Sequence, residues 1–343
     1  MIVLRRLGWR RILGIASISI SINGMWAAVV YALYTFGGLT ILRMPFLPIA
    51  TIGTAVAFYV GFKNNAAYDR FWEGRKIWGG IVNGSRTWAS SILCYVDPGN
   101  EDDAARAARR ALVYRQLAWV NSLRVQLRKK SRFEDAPARG TKARLVRDAT
   151  LMRNDWDKEL EPFIGSEERD RIRDLANPAT HLLARQSLEL AKLVKAGHLD
   201  MFRQLELMKI IEAFYGYQGK SERIKNTPFP RQYAEFSRWF TRVFIFLVPF
   251  GLLEIFADHM THNGVSLESV TAAFPMIASS GLIAWVFSMM EGIGDASEDP
   301  FERSMNDVPM NALSRTIEID LRSMLGETDL PEPEQPAAGF IMY

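Results

Sequence analysis

The chain has 343 residues, of which 48% are hydrophobic and 23% charged, and its formal net charge is +4. This modest charge provides no argument for nucleic-acid binding, and the single cysteine, Cys94, excludes an intramolecular disulfide. The overall composition conceals long segments without any charged residue. These are residues 12–42, 44–62 and 270–290, and each is long enough to cross a bilayer as a helix.

These segments predict a membrane protein with about four transmembrane helices. The first apolar run follows a basic start, as in a signal peptide, but it is too long and lacks a small-residue cleavage site, so we expect a retained helix. A further span is expected around residues 243–253, which hold only 11 uncharged residues and need flanking aromatic and aliphatic residues to complete a crossing.

Positive charges next to the spans predict the orientation. They precede the first span, follow the second and precede the third: Arg5, Arg6, Arg10, Arg11, Lys63, Arg70, Arg75, Lys76, Arg238 and Arg242. Since Lys and Arg are enriched on the cytoplasmic side, both termini are expected there, in a bacterial inner membrane. The predicted parts are a membrane hairpin (1–63), a helical cytoplasmic region (64–237), a second hairpin (238–290) and a cytoplasmic C-terminal segment (291–343).

The cytoplasmic region is predicted to be helical throughout. Helices are expected at 101–131, 150–160, 166–175, 178–196 and 199–217, and no alternating strand pattern is present. Residues 326–336 combine three prolines with acidic residues and predict a disordered tail. The predicted fold class is therefore all-α.

The second span carries an aromatic face. Thr54, Phe58 and Phe62 follow one another at intervals of four residues, so a helix places them on one side, and Asn65 and Asp69 continue that side toward the cytoplasm. Such a face either packs against another helix or lines a passage. Because a single helix cannot enclose a channel, the second explanation requires several copies around an axis. Asp69 alternatively forms an ion pair that fixes the assembly.

Three motifs in order along the chain carry a family resemblance. They are GFKNNAAYDRFWEGRKIWGGIVNGSR after the second span, ERIKNTPFPRQY before the third, and EDPFERSMNDVPMNALSRTIE after the fourth. On these motifs the chain resembles bacterial bestrophin homologues. The resemblance implies a homopentameric ion channel whose second helices surround a pore, with a neck at Thr54, Phe58 and Phe62 and a cytoplasmic constriction near Met201.

The chain departs from this family at a calcium site. Eukaryotic bestrophins carry consecutive aspartates there, whereas only Asp299 and Asp307 keep an oxygen ligand at matching places and Arg303 intervenes. Since calcium takes six to eight oxygen ligands, this argues against calcium binding. No other cofactor and no metal site is expected, and no catalytic motif is present.

The residues do not determine which ion the channel would conduct. Asp69 and the acidic segment 295–302 favour cations, while a basic set between Lys129 and Arg147 favours anions. We favour chloride or other anions over monovalent cations; a non-conducting membrane scaffold or receptor is the alternative of another class. The expected partners are further copies of the chain, membrane lipids and small inorganic ions. Glu254, near the third span, is either functional or simply solvated.

Overall fold

A computed structural model describes residues 1–4, 8–100, 102–129, 153–256, 267–302, 304, 306–337 and 341–343. Its regular elements are α-helices, apart from one 3₁₀ turn at Thr40–Leu42 and isolated bridges at the chain ends. The helices are α1 (Trp9–Thr35), α2 (Phe46–Tyr95), α3 (Asp103–Arg128), α4 (Trp156–Leu160), α5 (Ser166–Arg173), α6 (Pro178–Lys195), α7 (Met201–Asn226), α8 (Arg231–Phe256), α9 (Leu267–Ser297) and α10 (Met310–Met324). The all-α prediction is confirmed.

Four stretches of the described residues are helical, long and apolar enough to cross a membrane. They are Ile12–Thr35, Thr40–Tyr95, Arg231–Phe256 and Ala273–Ser297. The four predicted spans are thereby confirmed, including the weakest, since α8 extends well beyond the apolar run 243–253. Aromatic and polar residues on either side of the short apolar run complete this helix. We call the compact unit around these helices the membrane unit, formed by Leu4–Asp69 and Phe229–Glu298.

Within the membrane unit, α9 packs against α1 and α8. The core is apolar and contains Val56 and Val60 from α2 together with Phe244 from α8. The Phe244 ring lies against Gly53, where an added Cβ would come within 2.5 Å of the ring. A small residue at this position therefore allows α2 and α8 to approach closely, as is common between membrane helices.

The second unit, which we call the helical unit, contains Met1–Val3, Arg70–Pro228 and Asp299–Tyr343. Its centre is α3, which packs against α4, α6, α7 and α10. Helix α3 begins at an N-cap, because the Asp102 side chain accepts a hydrogen bond from the Ala105 N–H at 2.7 Å. The α2 backbone approaches α7 at Gly80 and Gly84, where an added Cβ would touch the rings of Tyr217 and Phe214.

Helix α2 is much longer than the predicted second span. It continues without interruption for 50 residues, so the charged segment after Phe62 is part of the same helix. Helix α7 likewise continues to Asn226, nine residues beyond the predicted end at Tyr217. In both cases glycines within the segment weakened the helical pattern. Tertiary packing compensates for the low helix propensity of Gly80 and Gly84.

The tail 326–336 differs from the prediction of disorder. Helix α10 ends at Met324, and Gly326, just beyond it, has φ of +79°. The next residue, Glu327, accepts a hydrogen bond from the Tyr114 hydroxyl at 2.7 Å and pairs with Arg322 at the same distance. Glu334 lies 3.4 Å from Arg153. Acidic residues that predict disorder by composition are thus held by basic and hydroxyl groups from distant parts of the helical unit.

Candidate functional site

The aromatic face of α2 points outward from the membrane unit. Phe58 and Phe62 are 67% and 71% exposed, whereas Val56 and Val60 on the other side are 4% and 0% exposed. A helix with this pattern buries its aliphatic face and presents its rings. The structure therefore brings the predicted neck residues together on one surface.

This surface, which we call the neck face, is a shallow open groove along α2. The residues that line it are Thr54, Ala57, Phe58, Gly61, Phe62 and Asn65. The Thr54 hydroxyl donates to the Ala50 carbonyl at 3.1 Å, so its hydrogen is used within the helix. The neck face is apolar, with polar groups only at its two ends. It offers no charge that would hold an ion in place.

Asn65 and Asp69 follow the neck face toward the end of the membrane unit. Both are exposed. Among the described residues of this chain, Asp69 forms no hydrogen bond or ion pair that would neutralise it. An exposed carboxylate on this side of the helix is compatible with either predicted role, a vestibule wall or an ion pair to a neighbouring copy, so this assignment stays a prediction.

Met201 lies in the helical unit as the first residue of α7, and it is 58% exposed. The helix start is well defined, because the Asp200 side chain accepts a hydrogen bond from the Phe202 N–H at 2.9 Å. The preceding loop contacts the turn that follows α2, since the His198 ring nitrogen lies 2.9 Å from an Asp97 carboxylate oxygen. Met201 is thus an exposed apolar residue at a helix start, and its role in a cytoplasmic constriction stays a prediction.

Glu254 contacts the N-terminal end of α2. Its carboxylate accepts a hydrogen bond from the backbone N–H of Phe46, the first residue of that helix. Because the first N–H groups of a helix have no partner within it, this contact stabilises the helix start. Glu254 is therefore neither a free intramembrane acid nor simply solvated. In the sequence, the only indication of this contact was that an acidic residue lies close to the end of a predicted span.

The acidic segment near the end of α9 is matched by basic side chains. The pairs in the membrane unit and in the helical unit are Lys63 with Glu291 and Asp295, Arg238 with Asp295, Arg231 with Glu298, Arg70 with Asp299, and Lys225 with Glu302. These acids thus do not form an unbalanced negative surface. The expectation that the segment 295–302 favours cations loses its physical basis.

The position of the eukaryotic calcium site is built differently here. One Asp307 oxygen accepts the N–H groups of Phe301 and Val308 at 2.5 and 2.6 Å. The other oxygen pairs with Arg128 at 2.5 Å, and both of these charged side chains are fully buried. A calcium ion would have to displace a guanidinium that already balances the carboxylate. The residues do not fit calcium.

Several predicted features lie outside the described residues. They include Arg5, Arg6 and Arg303, most of the basic set that extends to Arg147, and the start of the helix predicted at 150–160. Of the basic set, Lys129 is described and is exposed at the end of α3.

The fold and the neck face together define a multi-pass α-helical membrane protein with an outward-facing aromatic surface on one membrane helix. The chain belongs to the bacterial and fungal bestrophin family, whose model matches residues 9–323.

The chain is similar to a voltage-dependent anion channel-forming protein of Mesorhizobium japonicum, with 27% identity over 92% of this chain and 86% of that protein. It is also similar to the voltage-dependent anion channel-forming protein YneE of Escherichia coli, with 28% identity over 89% and 84% of the two chains. Among solved structures, it is similar to a bestrophin homologue of Klebsiella pneumoniae, with a TM-score of 0.72 and 24% identity over 91% of this chain and 98% of that one. This structural likeness supports the fold.

Proposed function

We propose that this chain forms a bestrophin-type ion channel in which the neck face of α2 lines a central pore. The observation that carries the proposal is the exposure of Phe58 and Phe62 on a helix whose opposite face is buried. Two adjacent rings without a nearby charge would form a hydrophobic gate, which ions cross when it is wetted. Family membership and the names of the relatives support the same function.

The pore requires several copies of the chain around one axis, because one α2 helix has only one exposed face. The proposed number is five, from the family resemblance. The proposed location is the bacterial inner membrane, with both termini in the cytoplasm. The basic residues at the predicted cytoplasmic ends of the spans support this orientation.

The proposed ions are chloride and similar anions. Aromatic ring edges carry partial positive charge, so Phe58 and Phe62 favour a passing anion over a cation. The pairing of Glu291, Asp295 and their acidic neighbours with basic residues removes a competing attraction for cations. Asp69 is the residue that favours the alternative, a channel selective for monovalent cations.

We further propose that conduction involves no catalysis, no bound cofactor and no calcium. The support for the last point is the chemistry of Asp307, whose oxygens accept two backbone N–H groups and pair with Arg128. Because the Arg128 guanidinium already neutralises Asp307, the turn around Asp307 does not need a bound calcium ion.

Chloride flux from liposomes that contain the purified protein tests the function. Phe58→Ala and Phe62→Ala should change the flux, because each removes one ring of the proposed gate. Phe274→Ala is the matched control, since Phe274 is 72% exposed but lies on α9. The proposal would be contradicted if neither the parent nor the two neck variants gave any chloride flux.

Two further measurements separate the alternatives. Crosslinking followed by mass measurement should give five copies, whereas a monomer or dimer would indicate a scaffold or receptor that cannot enclose a pore. The reversal potential across a salt gradient gives the sign of the permeant ion directly. A reversal potential close to the equilibrium potential of the cation would show that the channel conducts cations. The proposal of an anion channel would then be wrong, whereas the proposal of a channel would stand.

A further inference from the structure

The residue that follows Phe62 is a buried lysine. The Lys63 side chain is 0% exposed, and its Nζ lies 2.8 Å from Glu291 Oε1 and 3.0 Å from Asp295 Oδ1. The neighbouring Phe62 ring is 71% exposed. Two consecutive residues of α2 thus have different surroundings, since the ring lies on the neck face and the ammonium lies against α9.

The cluster around Lys63 joins three helices of the membrane unit. Glu291 and Asp295 are four residues apart on α9, so they lie on adjacent turns of one face. Arg238 of α8 approaches Asp295 at 3.3 Å. These four side chains, which we call the ionic anchor, contain two positive and two negative charges and are therefore balanced.

A second contact brings α2 close to α9 at the same level. The Asn64 amide donates to the Met290 carbonyl at 2.8 Å. Gly294 faces Asn64, and an added Cβ would come within 2.1 Å of the Asn64 amide oxygen. The backbones can approach this closely because position 294 has no side chain. The contact therefore has little room for α2 to slide or rotate.

A buried ion pair stabilises a fold poorly, because the desolvation of the charges offsets their attraction. It differs from an apolar contact in its directionality. An apolar helix face tolerates a small rotation or shift, whereas an ammonium that donates to two carboxylates on adjacent turns has one preferred position. Intramembrane charges of this kind are by default functional candidates.

We propose that the ionic anchor is a positioning device for conduction, with Lys63 fixing the rotation and height of α2 so that Phe62 points into the pore. This proposal rests on the proposed channel function. Lys63 does not touch the permeating ion; it acts through the helix that carries the gate. Without the anchor, a small rotation or shift of α2 would turn the Phe62 ring away from its position on the neck face.

The alternative is a purely structural role, in which the cluster only supports folding. Two variants distinguish the alternatives. Lys63→Met with Glu291→Leu removes one pair and leaves Asp295 balanced by Arg238, so the protein should fold without the anchor. Lys63→Arg keeps a cationic donor that can serve both Glu291 and Asp295, so this conservative variant should keep the anchor.

The readout is the reaction of introduced cysteines with an aqueous thiol reagent in the purified assembly, in a Cys94→Ser background. In the parent, Phe62→Cys should react rapidly and Val60→Cys, at a buried position, should not. In the apolar pair this contrast should be reduced and the chloride flux should change. In Lys63→Arg both should stay close to the parent values.

Retention of the parent contrast and the parent flux by the apolar pair would overturn the proposal, because positioning would then not depend on charge. Loss of the contrast in Lys63→Arg, with the assembly intact by mass, would also overturn it. The thiol reaction needs no ion flux. If the parent protein gave no flux, the channel function would fail while the reaction pattern would still report on the anchor.

Discussion

Substitution of the exposed phenylalanines should separate function from stability. In Phe62→Ala, the ring that is lost is 71% exposed in the membrane unit, so few packing contacts disappear and the free energy of unfolding should change by no more than about 0.5 kcal/mol. The same substitution at Phe214 removes a fully buried ring whose centroid is 4.9 Å from that of Trp119. There the expected loss is about 3–5 kcal/mol.

The assay is thermal unfolding of the purified assembly in detergent, combined with chloride flux. For the helical unit, the expected loss in Phe214→Ala corresponds to a fall in Tm of roughly 6–20 °C. Phe62→Ala should leave Tm nearly unchanged and alter the flux. If Phe62→Ala instead lowered Tm or dissociated the assembly as strongly as Phe214→Ala, with unchanged flux, the ring would be a packing residue. The pore-lining argument would then be wrong.

Three other predictions concern charged residues. Arg128→Met leaves Asp307 buried without its guanidinium partner, so the free energy of unfolding should fall by about 3–5 kcal/mol. Added calcium should not raise the Tm of this variant. Recovery of Tm by calcium would contradict the internal pairing. Burial opposes ionisation of Glu327, but hydrogen bonds from Tyr114 and two arginines lower the pKa of this carboxyl. A lowered pKa gives stability that is present above the unfolded value of about 4.5 and is lost as the pH falls through the folded value. Glu327→Gln should therefore flatten the fall in Tm below about pH 4.5. Asp69→Asn should shift the reversal potential toward that of chloride, because an exposed negative charge next to the neck face is removed; a shift toward the cation potential would contradict its placement.

Features that depend on local sequence were predictable. The spans follow from the length of the uncharged runs, and the orientation of Thr54, Phe58 and Phe62 on one face follows from the helical repeat. Both need only residues that are close together in the chain. The continuation of α2 to Tyr95 was not predicted, because its glycines are tolerated only where Tyr217 and Phe214 pack against them.

The partners of charged residues could not be read from the chain. Lys63 follows the predicted second span, yet it is buried against Glu291 and Asp295, which lie 228 and 232 positions away. Charged residues follow both the second and the fourth spans, so their side chains are expected at the same level. Many different ion pairs between them are nevertheless possible. The same holds for the tail, where Glu327 contacts Tyr114 across 213 positions.

The membrane-spanning segments and the face of α2 that carries the aromatic rings follow from the amino-acid sequence, since hydrophobic length and helical periodicity are properties of neighbouring residues. The outward direction of the rings and the neutralisation of the acidic end of α9 by Lys63 and Arg238 follow instead from the packing of the helices. A charge must find its counterpart in space once water is excluded, and which counterpart is near depends on how helices from distant parts of the chain pack together.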